Sequence, residues 1–303
     1  MFSSKVGASR LLIGVVIALV TMKGIFAWLT GSISVAAQAA DSLLDLVAGI
    51  ITFLAVRAAV KPADSEHPYG HGKWEDVAGV AQGVLIFMAG ALVVYGAVRR
   101  LLTGSIIQMT GSGIVVMVIS IAVSLILSRH LRRVARETRS AALKANAANI
   151  TADIYSAAAV LGGLLAIRFT GQTIIDPIIA LGVAGYIFRL GYKSVSQSLA
   201  GLVDTRLDPE YEAVIKEILA RHGEIASFHK LRTRRSGSQR HADLHLVLNK
   251  NITLEKAHQV CSEVEAEVKN RLHDTNIVIH AEPCDGNCRE CGGDCAEGDK
   301  AAG

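Results

Sequence analysis

Residues 34–56 read SVAAQAADSLLDLVAGIITFLAV and carry the strongest indication of the fold. A membrane-spanning helix needs about 20 mostly apolar residues, and this segment has that length although it contains Asp41 and Asp45. Four residues apart, the two acids lie one above the other on one helix face. Each carboxylate costs about 2.5–3.5 kcal/mol near mid-bilayer. The stacked pair therefore predicts a cation or a proton between them.

A second segment, residues 142–163, repeats this spacing and reads ALKANAANITADIYSAAAVLGG. Here Asn149 and Asp153 are four residues apart. If the two helix faces meet, three carboxylates and one amide form an oxygen-rich tetrahedral or octahedral cage. A purely structural role and a proton relay without metal remain open, but divalent metal transport is the favoured interpretation.

The whole chain has the composition of a membrane protein. Of its 303 residues 51% are hydrophobic, and its mean hydropathy is +0.38. The formal charge of +4 includes no dense Lys/Arg run, which argues against nucleic-acid binding. Six segments are long and apolar enough to span a bilayer: 11–30, 34–59, 78–101, 112–130, 143–168 and 173–192.

These spans predict three parts: a six-span transport domain over 1–205, a regulatory and dimerisation domain over 206–283, and a Cys-rich tail over 284–303. Lys and Arg concentrate before span one, between spans two and three, between spans four and five, and after span six. Because cytoplasmic loops carry this excess, both termini are expected in the cytoplasm. A removed signal peptide is not expected, since span one lacks a small-residue cleavage site.

Two further groups of residues have the chemistry of metal ligands. The loop after span two contains Asp64, His67 and His71, with glycines that favour a turn. Imidazole suits Zn²⁺ and neighbouring metals, although such loop residues are often simply solvated. Residues 206–283 read as α-β-β-α-β, a small ferredoxin-like or metallochaperone-like α+β domain. That domain holds His229, His245, His258, His280 and Glu282.

The last 20 residues hold four cysteines, Cys284, Cys288, Cys291 and Cys295. On the cytoplasmic side of a membrane they are expected as reduced thiols. They are candidates for an additional soft-metal site, but their spacing matches no standard zinc module, so a Gly-rich end without metal is the alternative.

Through these motifs the chain resembles the cation diffusion facilitator family, most closely its bacterial branch of dimeric zinc and iron exporters. The resemblance is carried by AADSLLD in span two, the loop HPYGHGKWE, the paired positions in span five, and HKLRTRRSG, HADLHLVL and IVIHAEPC in the C-terminal domain. It covers nearly the whole chain.

The resemblance implies a homodimer in the inner (plasma) membrane that exports divalent cations in exchange for protons. It also implies a role for each group of residues, namely a central transport site at Asp41, Asp45, Asn149 and Asp153, a loop site at Asp64, His67 and His71, a binuclear site at His229, His245, His258, His280 and Glu282, and an interprotomer salt bridge between Lys73 and Asp204.

Two positions depart from the family pattern. Asn149 stands where the zinc and iron branch usually has His. An amide oxygen cannot titrate, and oxygen ligands favour Mn²⁺ or Fe²⁺ over Zn²⁺. Glu282 replaces a typical Asp and keeps a carboxylate with a longer reach. Zn²⁺ remains the expected ion of the C-terminal domain, and Zn²⁺, Fe²⁺, Mn²⁺ and Cd²⁺ remain candidates for transport.

The expected activity is secondary active transport rather than enzyme catalysis. No P-loop motif is present, so ATP is not the expected energy source. A passive cation channel and a membrane-anchored metal sensor are the two rival interpretations. A proton gradient should drive flux through the exporter and not through the channel, whereas the sensor should support no flux.

Overall fold

The computed structural model describes residues 4–30, 33–103, 111–170 and 174–284. The side chains of residues 30, 33–38, 40–41, 111–113, 163–168 and 176 also lie outside the described part. The chain divides into two compact units, 1–202 and 203–303. The first contains six long helices: α1 (Lys5–Thr30), α2 (Ile33–Ala59), α3 (Trp74–Thr103), α4 (Gly111–Thr138), α5 (Ala141–Thr170) and α6 (Ile175–Leu202).

The outer surface of the helical unit is apolar. Leu44, Leu92 and Ile126, one each on α2, α3 and α4, are 57%, 61% and 69% exposed. Among the described residues, α1, α2, α3, α4 and α6 contain segments long and apolar enough to cross a membrane. Such exposed aliphatic surface is stable in lipid, so the helices form the predicted membrane bundle.

Close approach of α3 and α6 depends on small residues. A Cβ added at Gly79 would lie 2.1 Å from Ser198 Oγ, and one at Gly83 would lie 2.3 Å from Val195 Cγ2. Small residues allow helix backbones to pack tightly in lipid, where van der Waals contact drives association. On the other side of the bundle, a buried cluster joins α1, α2, α4 and α5 through residues such as Leu12, Val56, Leu131 and Leu143.

The second unit is the predicted α-β-β-α-β domain. Its elements are α7 (Pro209–Leu219), β1 (Ile225–Ser236), β2 (Gln239–Leu248), α8 (Leu254–Arg271) and β3 (Thr275–Pro283). The sheet order is β1-β2-β3, with β1 antiparallel and β3 parallel to β2. Gly237, with φ of 60°, opens the two-residue β1–β2 turn, a position that favours glycine. Helix α8 supplies the crossover that a parallel pair requires.

The core of this domain lies between one sheet face and the helices. Alternate β2 residues Ala242, Leu244, Leu246 and Leu248 are all buried in it. Leu254 of α8 is by contrast 87% exposed. Leu254 is the first residue of α8, where the helix has only begun to cross the sheet. The predicted fold class, a helical membrane bundle followed by a small α+β domain, is confirmed.

Candidate metal centres

A small cavity inside the helical unit brings together three residues of the two predicted pairs. Asp45 of α2 and Asn149 and Asp153 of α5 line it, along with Asn146 of α5 and Ser124 of α4. Its apolar wall includes Leu12, Val16 and Leu127. The cavity has room for about one water-sized body or one dehydrated ion. Apart from Ser124, its polar lining consists of carboxylate and amide side chains.

Asp45 reaches the cavity from α2, and Asn149 and Asp153 reach it from α5. Asn149 is 6% exposed, and Asp45 and Asp153 are half-buried. Asp41 lies in α2, but its side chain is outside the described residues. Within the described part, Asp45, Asn149 and Asp153 therefore form an oxygen-lined centre to which a hard divalent cation is suited.

Sequence reasoning missed a buried hydrogen-bond group next to this cavity. Thr52 of α2 accepts hydrogen bonds from Gln82 Nε2 of α3 at 3.2 Å and from Asn146 Nδ2 of α5 at 3.1 Å. Asn146 precedes Asn149 by three residues, which is also a same-face spacing on a helix. A search for that spacing as well as i, i+4 would have found it.

Two lysines of α1 also make contacts that the sequence did not predict. Lys5 Nζ lies 2.8 Å from Glu75 Oε1, and the Glu75 side chain is fully buried. Lys23 Nζ donates to Ser42 Oγ at 2.7 Å. A buried carboxylate requires such a partner, because removing one member leaves an uncompensated charge. The Lys5–Glu75 pair therefore ties the start of α1 to the start of α3.

The loop between α2 and α3 gathers its three predicted ligands. Ligand atoms of Asp64, His67 and His71 all lie within 4.8 Å of one another. Asp64 Oδ1 is 3.3 Å from His67 Nδ1, and Asp64 Oδ2 is 3.4 Å from His71 Nε2. Gly70 has a φ of 77°, which an L side chain rarely adopts. This turn brings the two imidazoles to a centroid separation of 4.3 Å.

Backbone donors hold the Asp64 carboxylate in place. The His67 N–H donates to its Oδ1 at 2.7 Å and the Glu66 N–H donates to the same atom at 3.1 Å. The hydrogen bond from the His67 backbone lowers the pKa of Asp64, and the His67 side chain and the His71 charge act in the same direction. An ionised carboxylate beside two imidazoles is a suitable ligand set for Zn²⁺.

In the C-terminal domain, strand register aligns three histidines. His229 of β1 pairs with His245 of β2, and His245 pairs in turn with His280 of β3. The ring centroids are 5.2 Å apart for the first pair and 4.8 Å apart for the second. The row lies on the β2 face that alternates with the buried leucines.

Glu282 lies against this histidine row. Its Oε1 is 2.6 Å from His245 Nδ1, and its Oε2 is 3.1 Å from His229 Nε2. His280 Nε2 is 3.6 Å from Oε1. The hydrogen bond from His245 lowers the pKa of Glu282, helped by the charges of His245, His229 and Lys230. Ligand atoms of His229, His245 and Glu282 lie within 4.8 Å of one another, as in a metal site.

Other predicted residues lie outside these groups. His258 is exposed on α8 and is not part of the ligand group that the described residues form. Lys73 Nζ donates to the carbonyl of Leu202 at 3.3 Å, and Asp204 Oδ1 accepts from Arg234 Nη1 at 3.4 Å. The Lys73–Asp204 bridge between protomers stays a prediction.

Of the four tail cysteines, only Cys284 lies within the described residues. Cys288, Cys291 and Cys295 lie outside the described residues.

An oxygen-lined centre within a membrane bundle, followed by an α+β domain with a histidine and carboxylate cluster, defines a transporter of metal cations. Residues 10–203 match the model of the cation efflux transmembrane domain, and residues 207–284 match that of the cytoplasmic domain of cation efflux proteins. The chain belongs to the cation efflux family, also called the cation diffusion facilitators, whose members are transporters rather than enzymes.

Individual relatives match along most of the chain. The cation-efflux pump FieF of Citrobacter koseri is 34% identical over 265 residues, which cover 86% of this chain and 87% of the relative. FieF of Shewanella oneidensis is 34% identical over 281 residues, covering 91% and 93%. The solved metal-bound C-terminal domain of the CzcD transporter from Thermotoga maritima is 23% identical and covers 24% of this chain and 87% of that structure, with a TM-score of 0.24.

Proposed function

We propose that this cation efflux transporter exports a divalent metal ion from the cytoplasm in exchange for protons. The observation that carries the proposal is the cavity shared by Asp45, Asn149 and Asp153. Asp41, one turn before Asp45 on α2, is the fourth expected ligand. The cargo ion is held by oxygen atoms from two helices, and a change in their packing alternately opens the site to each side.

Carboxylates make such a site sensitive to protons. A metal ligand must be deprotonated, so metal and protons compete for the same carboxylate oxygens. Metal that enters from the cytoplasm displaces protons from Asp45 and Asp153. Protons that arrive from the opposite side then release the metal. Asn149 stays neutral throughout, so proton coupling depends on the aspartates.

The ligand set supports Mn²⁺ or Fe²⁺ as cargo more than Zn²⁺. Zn²⁺ is well served by imidazole and thiolate, whereas carboxylate and carbonyl oxygens suit Mn²⁺. The cavity lining among the described residues includes no imidazole or thiolate. The name FieF of the relatives designates a cation-efflux pump without stating its ion.

The two outlying clusters act as resident metal sites. His229, His245 and Glu282 hold Zn²⁺ and, in a homodimer, combine with further ligands such as His258 and His280 at the protomer boundary. Asp64, His67 and His71 bind metal in a cytoplasmic loop. Metal in these clusters stabilises the dimer and raises the transport rate. The protein is placed in the inner (plasma) membrane with both termini in the cytoplasm, an orientation supported by the positive loops.

Flux through purified protein in liposomes tests this function. Liposomes preloaded with a metal-sensitive dye receive Mn²⁺, Fe²⁺ or Zn²⁺ with and without an opposing pH gradient. We expect the proton gradient to drive the metal against its own concentration gradient, and a metal gradient to drive protons in the opposite direction. Asp45→Asn is the inactive control. Flux that follows only the metal gradient would indicate a channel. No flux in any gradient would support the membrane-anchored sensor.

A further inference from the structure

A single hydroxyl group on α2 organises two buried amides beside the cavity. Thr52 donates its one hydroxyl proton to the Ala48 carbonyl at 3.1 Å. The Thr52 oxygen then acts only as an acceptor, for Gln82 Nε2 at 3.2 Å and Asn146 Nδ2 at 3.1 Å. The exposed fractions of Thr52, Gln82 and Asn146 are 0%, 0% and 1%.

This arrangement determines which way each amide points. Because Thr52 has no second proton to give, both amides must direct their NH₂ groups at it. Their carbonyl oxygens are left over: Asn146 Oδ1 and Gln82 Oε1 have no hydrogen-bond partner in the described structure. A buried acceptor without a partner costs about 1–3 kcal/mol. Such an atom requires either a compensating ligand or an explanation.

The two leftover oxygens differ in position. Asn146 lines the cavity together with Asn149 and Asp153, whereas Gln82 is not among the described residues that line it. Asn146, Asn149 and Asp153 have the i, i+3, i+7 spacing of one helix face. Asn146 is about 4.5 Å before Asn149 along the axis of α5.

We propose that Asn146 is a further ligand of the transported cation, which it binds through its Oδ1 atom on the side of the site nearer the start of α5. This proposal rests on the proposed function, because it extends the same transport site. Thr52 holds the NH₂ group of Asn146, so the carbonyl oxygen is presented to the cavity before the metal arrives. A ligand that needs no reorientation loses less entropy on binding.

The additional ligand bears on ion selectivity. Asn146 and Asn149 together give the site two neutral oxygen ligands that do not titrate. They contribute to coordination number without adding negative charge, a ligand set that suits six-coordinate Mn²⁺ better than tetrahedral Zn²⁺. Asn146 is therefore expected to discriminate between cations as well as to bind them.

Mn²⁺ flux in proteoliposomes tests the assignment with two matched variants of the full-length protein. Asn146→Leu and Gln82→Met each remove one amide that donates to Thr52, but only Asn146→Leu removes an oxygen from the cavity. We expect Asn146→Leu to raise the apparent KM for Mn²⁺ at least about tenfold, the low end of the loss seen when metal-site partners are removed. Gln82→Met is expected to lower the melting temperature and leave KM within about twofold.

A third variant separates ligand chemistry from packing. Asn146→Asp retains an oxygen in the cavity, although it loses the NH₂ group that Thr52 holds, and should keep the Mn²⁺ KM below that of Asn146→Leu. The melting temperature of every variant is measured without metal, and Asn146→Ala replaces Asn146→Leu if the larger side chain prevents folding. Equal KM values for Asn146→Leu or its Ala replacement and Gln82→Met would overturn the assignment of Asn146.

The outcome for the wild type separates the two proposals. If the wild type carries no divalent cation under any gradient, the proposed transport function fails, and the role of Asn146 fails with it. If the wild type transports Mn²⁺ and removal of the Asn146 oxygen leaves KM unchanged, only the role of Asn146 is wrong. An Asn146→Asp variant that folds normally but has a KM as high as that of Asn146→Leu would also count against it.

Discussion

The membrane centre and the C-terminal cluster offer a metal ion different ligand atoms. The membrane cavity is lined by carboxylate and amide oxygens on two helices, α2 and α5, with a hydroxyl from α4. The C-terminal cluster combines imidazoles with the carboxylate of Glu282 on three adjacent strands. Carboxylate and amide oxygens suit hard divalent cations such as Mn²⁺, whereas imidazole suits Zn²⁺. The difference agrees with the proposal that the membrane centre moves metal and the C-terminal cluster holds a resident ion.

The two sites also differ in how they are assembled. Helix spacing places each membrane pair on one face locally, while the C-terminal row requires β1, β2 and β3 to pair in the right register. Rigid strands hold the cluster in one geometry. In the proposed mechanism, α2 and α5 shift against each other and thereby change the accessibility of the membrane site.

The largest expected effect comes from removing a membrane carboxylate. Asp153→Ala should reduce metal flux in proteoliposomes to background, at least about a hundredfold, since loss of even an outer partner of a metal site costs ten- to hundredfold. The control is Glu137→Ala, which removes an exposed acid of α4 that pairs with Arg133 and should leave flux unchanged. Substantial metal flux through Asp153→Ala would mean that the cavity is not part of the transport path.

The second expected effect is on the choice of ion. Asn149→His adds imidazole to an oxygen-only cavity and should raise the Zn²⁺/Mn²⁺ flux ratio about tenfold, which corresponds to 1.4 kcal/mol of differential binding. Parallel flux assays with the two ions measure it. Asn149→Gln is the control, because it keeps the amide and should not favour Zn²⁺. If the ratio stays unchanged for Asn149→His, then Asn149 does not select the ion.

The membrane centre was more predictable than the C-terminal cluster for a physical reason. The spacing of Asn149 and Asp153 fixes a shared helix face, and acids in an apolar segment are costly enough to stand out. Which face meets which helix depends on tertiary packing. Asn146 was missed because an amide in a helix gives no comparable energetic signal, and its importance appears only when Thr52 and the cavity are seen together.

The C-terminal cluster depended on strand register. The sequence indicates that His245 lies on the polar face of its strand, but pairing with His229 and His280 depends on register, which includes irregularities at His229/Arg232 in β1. Residues far apart in the chain meet only through that pairing. The density of histidines predicted a metal site, and the alignment of three strands was needed to see which of them share it.

A smaller expected effect follows from the regulatory role proposed for the C-terminal cluster. His245→Ala should lower the Zn²⁺-stimulated flux by about fivefold, the low end of allosteric coupling, while flux without Zn²⁺ stimulation is retained. The control is His273→Ala, an exposed histidine of the same domain, which should retain full stimulation. Complete loss of basal flux in His245→Ala would place the cluster in the transport path and remove the contrast between the two sites.

The smallest expected effect is the pH dependence of C-terminal domain stability without metal. The lowered pKa of Glu282 in the folded chain, caused first by its hydrogen bond with His245, means that the folded state binds a proton less readily than the unfolded state. Its contribution to stability is therefore complete above the ordinary pKa of 4.5 and is lost as pH falls through the lower folded value. Chemical unfolding in EDTA between about pH 6 and pH 3 measures this loss.

The variant Glu282→Gln tests the direction of this pH dependence. The variant has no carboxylate to protonate, so the stability difference between wild type and Glu282→Gln should shrink as the pH falls below about 4.5. Glu263→Gln, an exposed acid on α8, is the control and should follow the wild type. A difference that grows toward low pH would mean that Glu282 is protonated more easily in the folded domain. In the folded, metal-free domain the histidine row would then disfavour the ionised form of Glu282. The cluster would not be prepared to bind a cation.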